Sequence, residues 1–255
     1  MTRVRALAIL RAAMPWGVAS AMLACQPAHG FAAEAWALNG DVGLGAVTVQ
    51  GPAPGQGDRT RAIPYVYADL GPLFAREDTV GVKLLPVGWG SLELAARISS
   101  EGADSAGPTL ASRRNPRPVG LGTFQETPWG GVFLDAFEDT VSGGTLLEAS
   151  YAAEFDLGRV TLYPQAGVVR RSARYVDHLY GVSAAESLAT GQRAYAAGAS
   201  TVPLLALSAE LTLTPRWVVV GNLQVEAFDR AIGDSPRVGK SSQTTWLVAL
   251  ARHFD

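Results

Sequence analysis

The stretch Thr245-Trp246-Leu247-Val248-Ala249-Leu250-Ala251-Arg252-His253-Phe254-Asp255 decides the fold. Trp246, Val248, Leu250 and Phe254 lie an even number of residues apart, so an extended chain gathers them on one face, bounded by an aromatic at each end. Only Arg252 interrupts that face. A tilted strand of about ten residues just crosses the hydrocarbon layer, and terminal aromatics sit at its two interfaces. A half-buried strand of a soluble sheet alternates in the same way, so recurrence along the chain has to decide.

The pattern recurs. Trp36, Leu38, Gly40, Val42, Leu44 and Ala46 share one face of a first strand, and Ile63 to Asp69 forms a second with Tyr65 and Tyr67 together. Further strands follow at Val80–Leu84, Leu92–Ile98, Val119–Gln125, Val132–Glu138, Leu147–Phe155, Val160–Val168, Leu205–Leu213 and Trp217–Ala227. Pro164 counts mildly against its strand, because it removes a ladder donor. Gly51–Thr60, Ser99–Arg117 with its basic Arg113, Arg114 and Arg117, Arg170–Ser200 and Ala231–Ser241 read as loops. Within the longest loop, Ser183 and Glu186 are spaced as a capping box, which predicts a short helix from Ala184 to about Thr190 stopped by Gly191.

That makes eleven segments with the terminal one. A bacterial outer-membrane barrel takes an even number, so the expectation is an all-β, transmembrane, antiparallel up-and-down barrel of about twelve strands, with ten as the alternative. A soluble periplasmic β-barrel or sandwich is the competing architecture. The charged residues of the polar faces, Glu93, Arg97, Glu148, Glu154, Glu210 and Glu226, would look into bulk water in a soluble sheet and would line the lumen in a membrane barrel.

What precedes the strands favours the membrane. Arg3, Arg5 and Arg11 lead into the apolar Ala12–Ala24 stretch, and small residues follow, so residues 1–33 read as a signal peptide cleaved between about 28 and 33. Residues 34–255 then form one domain. Cys25, the only cysteine, ends an imperfect lipoprotein box, Met22-Leu23-Ala24-Cys25, which leaves lipidation as a minor alternative. No apolar run of about eighteen residues occurs after the first thirty-odd, which excludes a helical membrane protein. No basic stripe with interleaved aromatics exists, so nucleic acid is excluded as a partner.

The residues Tyr180-Gly181-Val182-Ser183-Ala184-Ala185-Glu186-Ser187, followed by Gly191 and Ala194-Tyr195-Ala196-Ala197-Gly198-Ala199, resemble the MipA/OmpV family of outer-membrane proteins. Ile232-Gly233-Asp234-Ser235-Pro236 and the final strand with Phe254 agree in order and spacing over Tyr175 to Phe254, and Val119-Gly120-Leu121-Gly122 extends the similarity thinly toward Trp36. The resemblance implies a barrel held in outer-membrane lipid, and a scaffold linking a lytic transglycosylase to a murein synthase. Other members are porin-like or adhesive surface proteins. It also implies that the barrel-assembly machinery reads the C-terminal strand through Trp246, Val248, Leu250 and Phe254.

The chain offers little chemistry. His29 falls in the signal, His178 in the long loop and His253 in the last strand, so loop and terminal histidines are expected at opposite membrane faces, and no enzyme is expected. Asp177 near His178, Glu138-Asp139 and Glu148 with Glu154 read as solvated or lumen charge. No cofactor motif or histidine spacing for a metal is present. Tyr180 and Tyr195 bracket the loop helix, either as aromatics that anchor the long loop against the rim, or as a surface contact or a plug that folds inward.

Overall fold

A computed structural model describes residues 36–53, 56–102 and 110–255; the expected signal peptide, its expected cleavage region and Cys25 lie outside them. Among the described residues, thirteen strand segments form one antiparallel sheet. They are β1 (Leu38–Val49), β2 (Arg59–Leu70), β3 (Leu73–Arg76), β4 (Thr79–Val87), β5 (Gly90–Arg97), β6 (Pro118–Thr127), β7 (Gly130–Asp139), β8 (Thr145–Ala153), β9 (Phe155–Asp156), β10 (Val160–Arg171), β11 (Ser200–Thr214), β12 (Trp217–Ala227) and β13 (Ser242–Phe254).

β9 prolongs β8 in the same register, Leu162 facing Phe155 just as Gln165 faces Ala152. The break falls opposite Pro164, which has no N–H to give. The staves therefore number twelve. β13 pairs with β12 on one side and with β1 on the other, from Gly40 opposite Phe254 to Val49 opposite Thr245, and the ring is closed.

Alternation then assigns the faces. Trp246, Val248 and Leu250 point outward and are exposed, as are Leu44, Leu94, Leu121, Leu134, Leu147, Leu205 and Leu223 on other staves. In lipid this belt is the favourable surface. Trp36, Trp89, Trp129 and Trp217, all exposed, sit where staves begin or turn at one end of the ring. That end carries the tight turns at Gly71-Pro72, Gly88-Trp89, Pro128-Trp129 and Pro215-Arg216, together with Phe254. Short turns mark the periplasmic end of such barrels and long loops the outer one.

Inside, the wall divides. Val47, Val218, Val220, Leu247, Ala249 and Ala251 pack as an apolar patch under β1, β12 and β13, whereas β3 to β8 turn charges inward. The long-loop end carries α1 (Ala173–Tyr180), α2 (Ala184–Thr190) and α3 (Arg230–Gly233). α2 starts and stops as its capping residues dictate: Ser183 and Glu186 make both capping-box bonds, and Gly191 closes it with φ 71°. α1 and α3 were not expected from the sequence. Neither was β3, the stave that brings eleven segments to twelve.

Closure leaves little room at the seam. A Cβ on Gly43 in β1 would run into the backbone of Leu250 and Ala251 across the β1–β13 ladder. Gly43→Val is therefore expected to cost at least about 1–3 kcal/mol of overpacking at that seam. Loss of the heat-modifiable folded band on gels, with the total amount of protein unchanged, checks it.

Candidate functional site: a capped, charged lumen

The six charges expected on polar faces do not all meet. Glu93, Arg97, Glu148, Glu210 and Glu226 line one interior cavity of about 840 Å³. Glu154 is outside that lining; it follows the last residue of β8 at the short-turn rim, where its N–H donates to the Trp129 carbonyl. Residues that the sequence left unassigned pair with Glu93, Arg97 and Glu226. Arg76 holds Glu93 with two parallel bonds of 2.8 and 2.9 Å, with its guanidinium 4.2 Å from the Phe74 ring centre and 5.0 Å from that of Phe124. Arg97 reaches Glu148 at 2.7 Å and Asp135 at 3.2 Å. Lys83 meets Asp69 at 3.0 Å near the short-turn end. Buried charges are stable only when paired and hydrogen-bonded, so these pairs fix side chains across the lumen.

Arg171, at the top of β10, is 6% exposed and joins Glu101 of the β5–β6 loop at 2.7 Å to Glu226 of β12 at 2.9 Å. Tyr175 of α1 donates its hydroxyl proton to the same Glu101. Burial would raise the Glu101 carboxyl, but Arg171 and that hydroxyl hold it below the usual range. Above this level, α1 packs Tyr175, Val176, Leu179 and Tyr180 with Ile232 and Val238 into a core continuous with Phe137, Leu146, Val169 and Val202 of the barrel wall. The cavity lining reaches from Asp41 and His253 near the short-turn end up to Glu101 and Arg171, and among the described residues none from the three helices belongs to it.

A polar knot locks the cap. Glu186 accepts from Arg113 at 3.0 Å and from Arg237 at 2.6 Å. Both arginines also donate to the Gly181 carbonyl, and Arg237 adds a bond to the Ala111 carbonyl. Ser235 donates to the Tyr180 carbonyl, and Tyr195 donates to the Ala231 carbonyl while its backbone bridges Val182. Asp234 caps α3, and Arg193 donates to its carbonyl. Gly233 ends α3, Pro236 follows Ser235, and Gly198 lies in the strand-leading segment beyond Tyr195 with open space around its Cα. The residues quoted from the loops thus meet in one place. Tyr180 and Tyr195 both belong to the packed cap above the cavity.

Burial raises the Glu186 carboxyl, yet the bonds from Arg113 and Ser183 outweigh it and bring it down to about 2. Burial and the neighbouring Arg113 lower the Arg237 guanidinium. His178 Nε2 lies 3.0 Å from the Arg114 carbonyl in the cap, and His253 Nδ1 lies 2.9 Å from Asp41 at the opposite rim. Asp139, with no exposed surface, accepts from the backbone N–H groups of Arg117 and Ser142 and shapes the β7–β8 turn.

Because the folded Glu186 carboxyl titrates below its ordinary value of 4.5, its contribution to the cap is complete above that value and fades as pH falls toward about 2. Hydrogen exchange at the Val182 and Tyr195 amides, corrected for intrinsic rates, should hold steady from pH 7 to 5 and then accelerate. Glu186→Gln should raise exchange at pH 7 about tenfold or more and flatten that pH response.

The family model of MltA-interacting protein MipA matches residues 42–254, nearly the whole ring, where sequence resemblance was densest after Tyr175. An Escherichia coli K12 protein named "Putative outer membrane protein YiaT" is 26% identical over 235 residues, covering 88% of this chain and 94% of that one. The Escherichia coli K12 "MltA-interacting protein" is 30% identical over 134 residues, covering 52% and 54%. Among solved structures, an anion-selective porin from Comamonas acidovorans aligns over 86% of this chain and 98% of its own, at 12% identity and a TM-score of 0.31. The closed, lipid-belted ring and the match across it make this chain a member of the MipA family of outer-membrane proteins.

Proposed function

We propose that this barrel is a non-catalytic scaffold of the cell envelope, whose periplasmic turns hold a lytic transglycosylase of the MltA kind and a murein synthase close to the membrane. The observation that carries the reading is the filled long-loop end: the α1 core and the Glu186 knot occupy the place where a diffusion pore has its mouth. A protein that spends its outer loops on closing itself keeps its short-turn face for partners. The name of the 30%-identical relative supports the hydrolase as one such partner. The C-terminal strand is the element the assembly machinery would read, since it is the stave on which closure depends.

A second reading, a small porin-like channel, draws on the charged cavity beneath the cap. The two separate in a planar bilayer. Protein first shown to be heat-modifiable should give no discrete current steps, and an Arg113→Ala/Arg237→Ala variant should begin to give them. Steps from the intact protein would favour the channel. For docking, a purified MltA-type transglycosylase should bind the intact barrel and bind about tenfold more weakly after Leu157→Ser with Arg216→Ala, both exposed on the short-turn rim. Equal binding by the variant, or none by the intact barrel, would remove the scaffold reading.

A further inference from the structure

The wall has one low place. β3 has four residues, and its ladder with β2 covers only Tyr67 to Leu70. The turn Glu77-Asp78 then sends the chain back, with the Glu77 N–H donating to the Val66 carbonyl. Beyond that point β2 runs on from Tyr65 to Arg59, paired to β1 on one edge and to no strand on the other. On the far side β5 ends at Arg97. At about 3.3 Å per residue, those seven residues of β2 run for about 23 Å along the tilted stave, so the gap takes up the outer part of the wall.

Pro64 independently marks this edge. The bond from Glu77 to Val66 shows that even-numbered residues of β2 direct their backbone groups to the β3 side. The N–H that Pro64 lacks is thus the one that would face the gap, and proline within a sheet is confined to such edges. Among the described residues the gap is crossed only near its top, where Arg61 donates to the Ser100 hydroxyl and Arg59 to the Gly102 carbonyl at 3.3 Å.

The cavity reaches this opening. Arg61, Ile63, Glu77, Asp78, Ile98 and Ser100 all line it, and Ile98 is 63% exposed. The cavity lining as a whole holds eleven carboxylates against five arginines and lysines. Two of those carboxylates, Glu77 and Asp78, form the lower lip of the gap and are exposed, with the Arg97 Nε 3.8 Å from Asp78. Backbone groups of Ala62 and Thr60 face it without a neighbouring strand, and in hydrocarbon such groups demand a polar partner. An opening at this depth meets bilayer molecules rather than soluble ones.

We propose that the gap between β2 and β5 is a lateral window through which a single-chain amphiphile with a primary-amine head enters the lumen from the outer leaflet. The head lies between the Glu77-Asp78 lip and the β2 carbonyls that have no strand partner, where it can pair with the former and donate to the latter. The tail stays in the gap against Ile63 and Ile98. The cap closes the axial way in, so the window is the approach that remains on that side. This stands apart from docking at the periplasmic turns and can fail without it.

The test is native mass spectrometry of the detergent-refolded protein with dodecylamine and, separately, dodecyl sulfate. A single dodecylamine adduct is expected, at an apparent affinity about tenfold or more above that for dodecyl sulfate. Inserting about twelve residues between Glu77 and Asp78, which lengthens β3 and β4 by about six each across the gap, should abolish the adduct while the barrel remains heat-modifiable. Should that variant fail to fold, Glu77→Gln/Asp78→Asn decides, and the preference for the amine should disappear. Equal adducts of the two amphiphiles on the intact protein, no amine adduct at all, an adduct that survives in the folded insertion variant, or an amine preference that survives in the folded Glu77→Gln/Asp78→Asn variant would overturn the proposal.

Discussion

Everything in this molecule depends on the hydrogen-bond ladder between β13 and β1. Lipid supplies no partner for a backbone N–H or carbonyl, so a sheet in a membrane cannot leave its two terminal strands unpaired. Ten residue pairs from Gly40–Phe254 to Val49–Thr245 remove the two edges that an open meander would keep. Closure in turn fixes which face of every stave is inside, because side chains alternate strictly along a strand. The apolar positions of β13 thereby commit the apolar positions of all the others to lipid. Gly43 and Gly45 at the seam let the two backbones meet, since a side chain at either position would collide with β13.

A ring of twelve encloses more space than its own side chains fill, and this chain fills the two sides of that space differently. Under β12, β13 and β1, small apolar residues pack against one another. Under β3 to β8, arginines and carboxylates span the gap in pairs, and Arg97 serves three carboxylates at once. Each partner in such a set is costly to lose, because the remaining charge stays buried. The same logic shapes the cap. Glu186 ties the basic Arg113 region of one loop to Arg237 of another, across the chain segment that carries Gly181.

The sequence was legible where a rule is local. Ten interior staves and the closing one announce themselves by alternation, and α2 by Ser183, Glu186 and Gly191, because strand faces and capping boxes need only near neighbours. β3 was hidden because four residues cannot display a period, and Gly71-Pro72 drew attention to the turn instead. α1 did carry a signal: Tyr175, Val176, Leu179 and Tyr180 follow helical spacing, but they lie in a stretch read as a polar loop. Arg76, Glu101, Arg171 and Arg237 gave no such sign, since each finds its partner across strands or loops distant in sequence. The family resemblance succeeded for the complementary reason. A lipid-facing position accepts any apolar residue, whereas Ser235 toward the Tyr180 carbonyl and Tyr195 toward Ala231 need one side chain each.

Cap and wall are not independent parts. Glu101 bonds to Arg171 and Tyr175 beneath the cap, while its neighbours Ser100 and Gly102 accept from Arg61 and Arg59 at the low place in the wall. Three consecutive residues therefore hold the floor of the cap on one side and cross the gap on the other. Arg171 is buried with its Nε and Nη1 unpartnered, so Glu101 and Glu226 supply its protein hydrogen bonds at that depth. Withdrawing Glu101 would leave the guanidinium with Glu226 alone, and a buried charge short of partners is strongly penalised. That penalty holds the strap in place. Any displacement of the strap away from β2 must be accompanied by a rearrangement of Arg171 and Tyr175, which makes the height of the wall at β3 a property of the cap as much as of the strands.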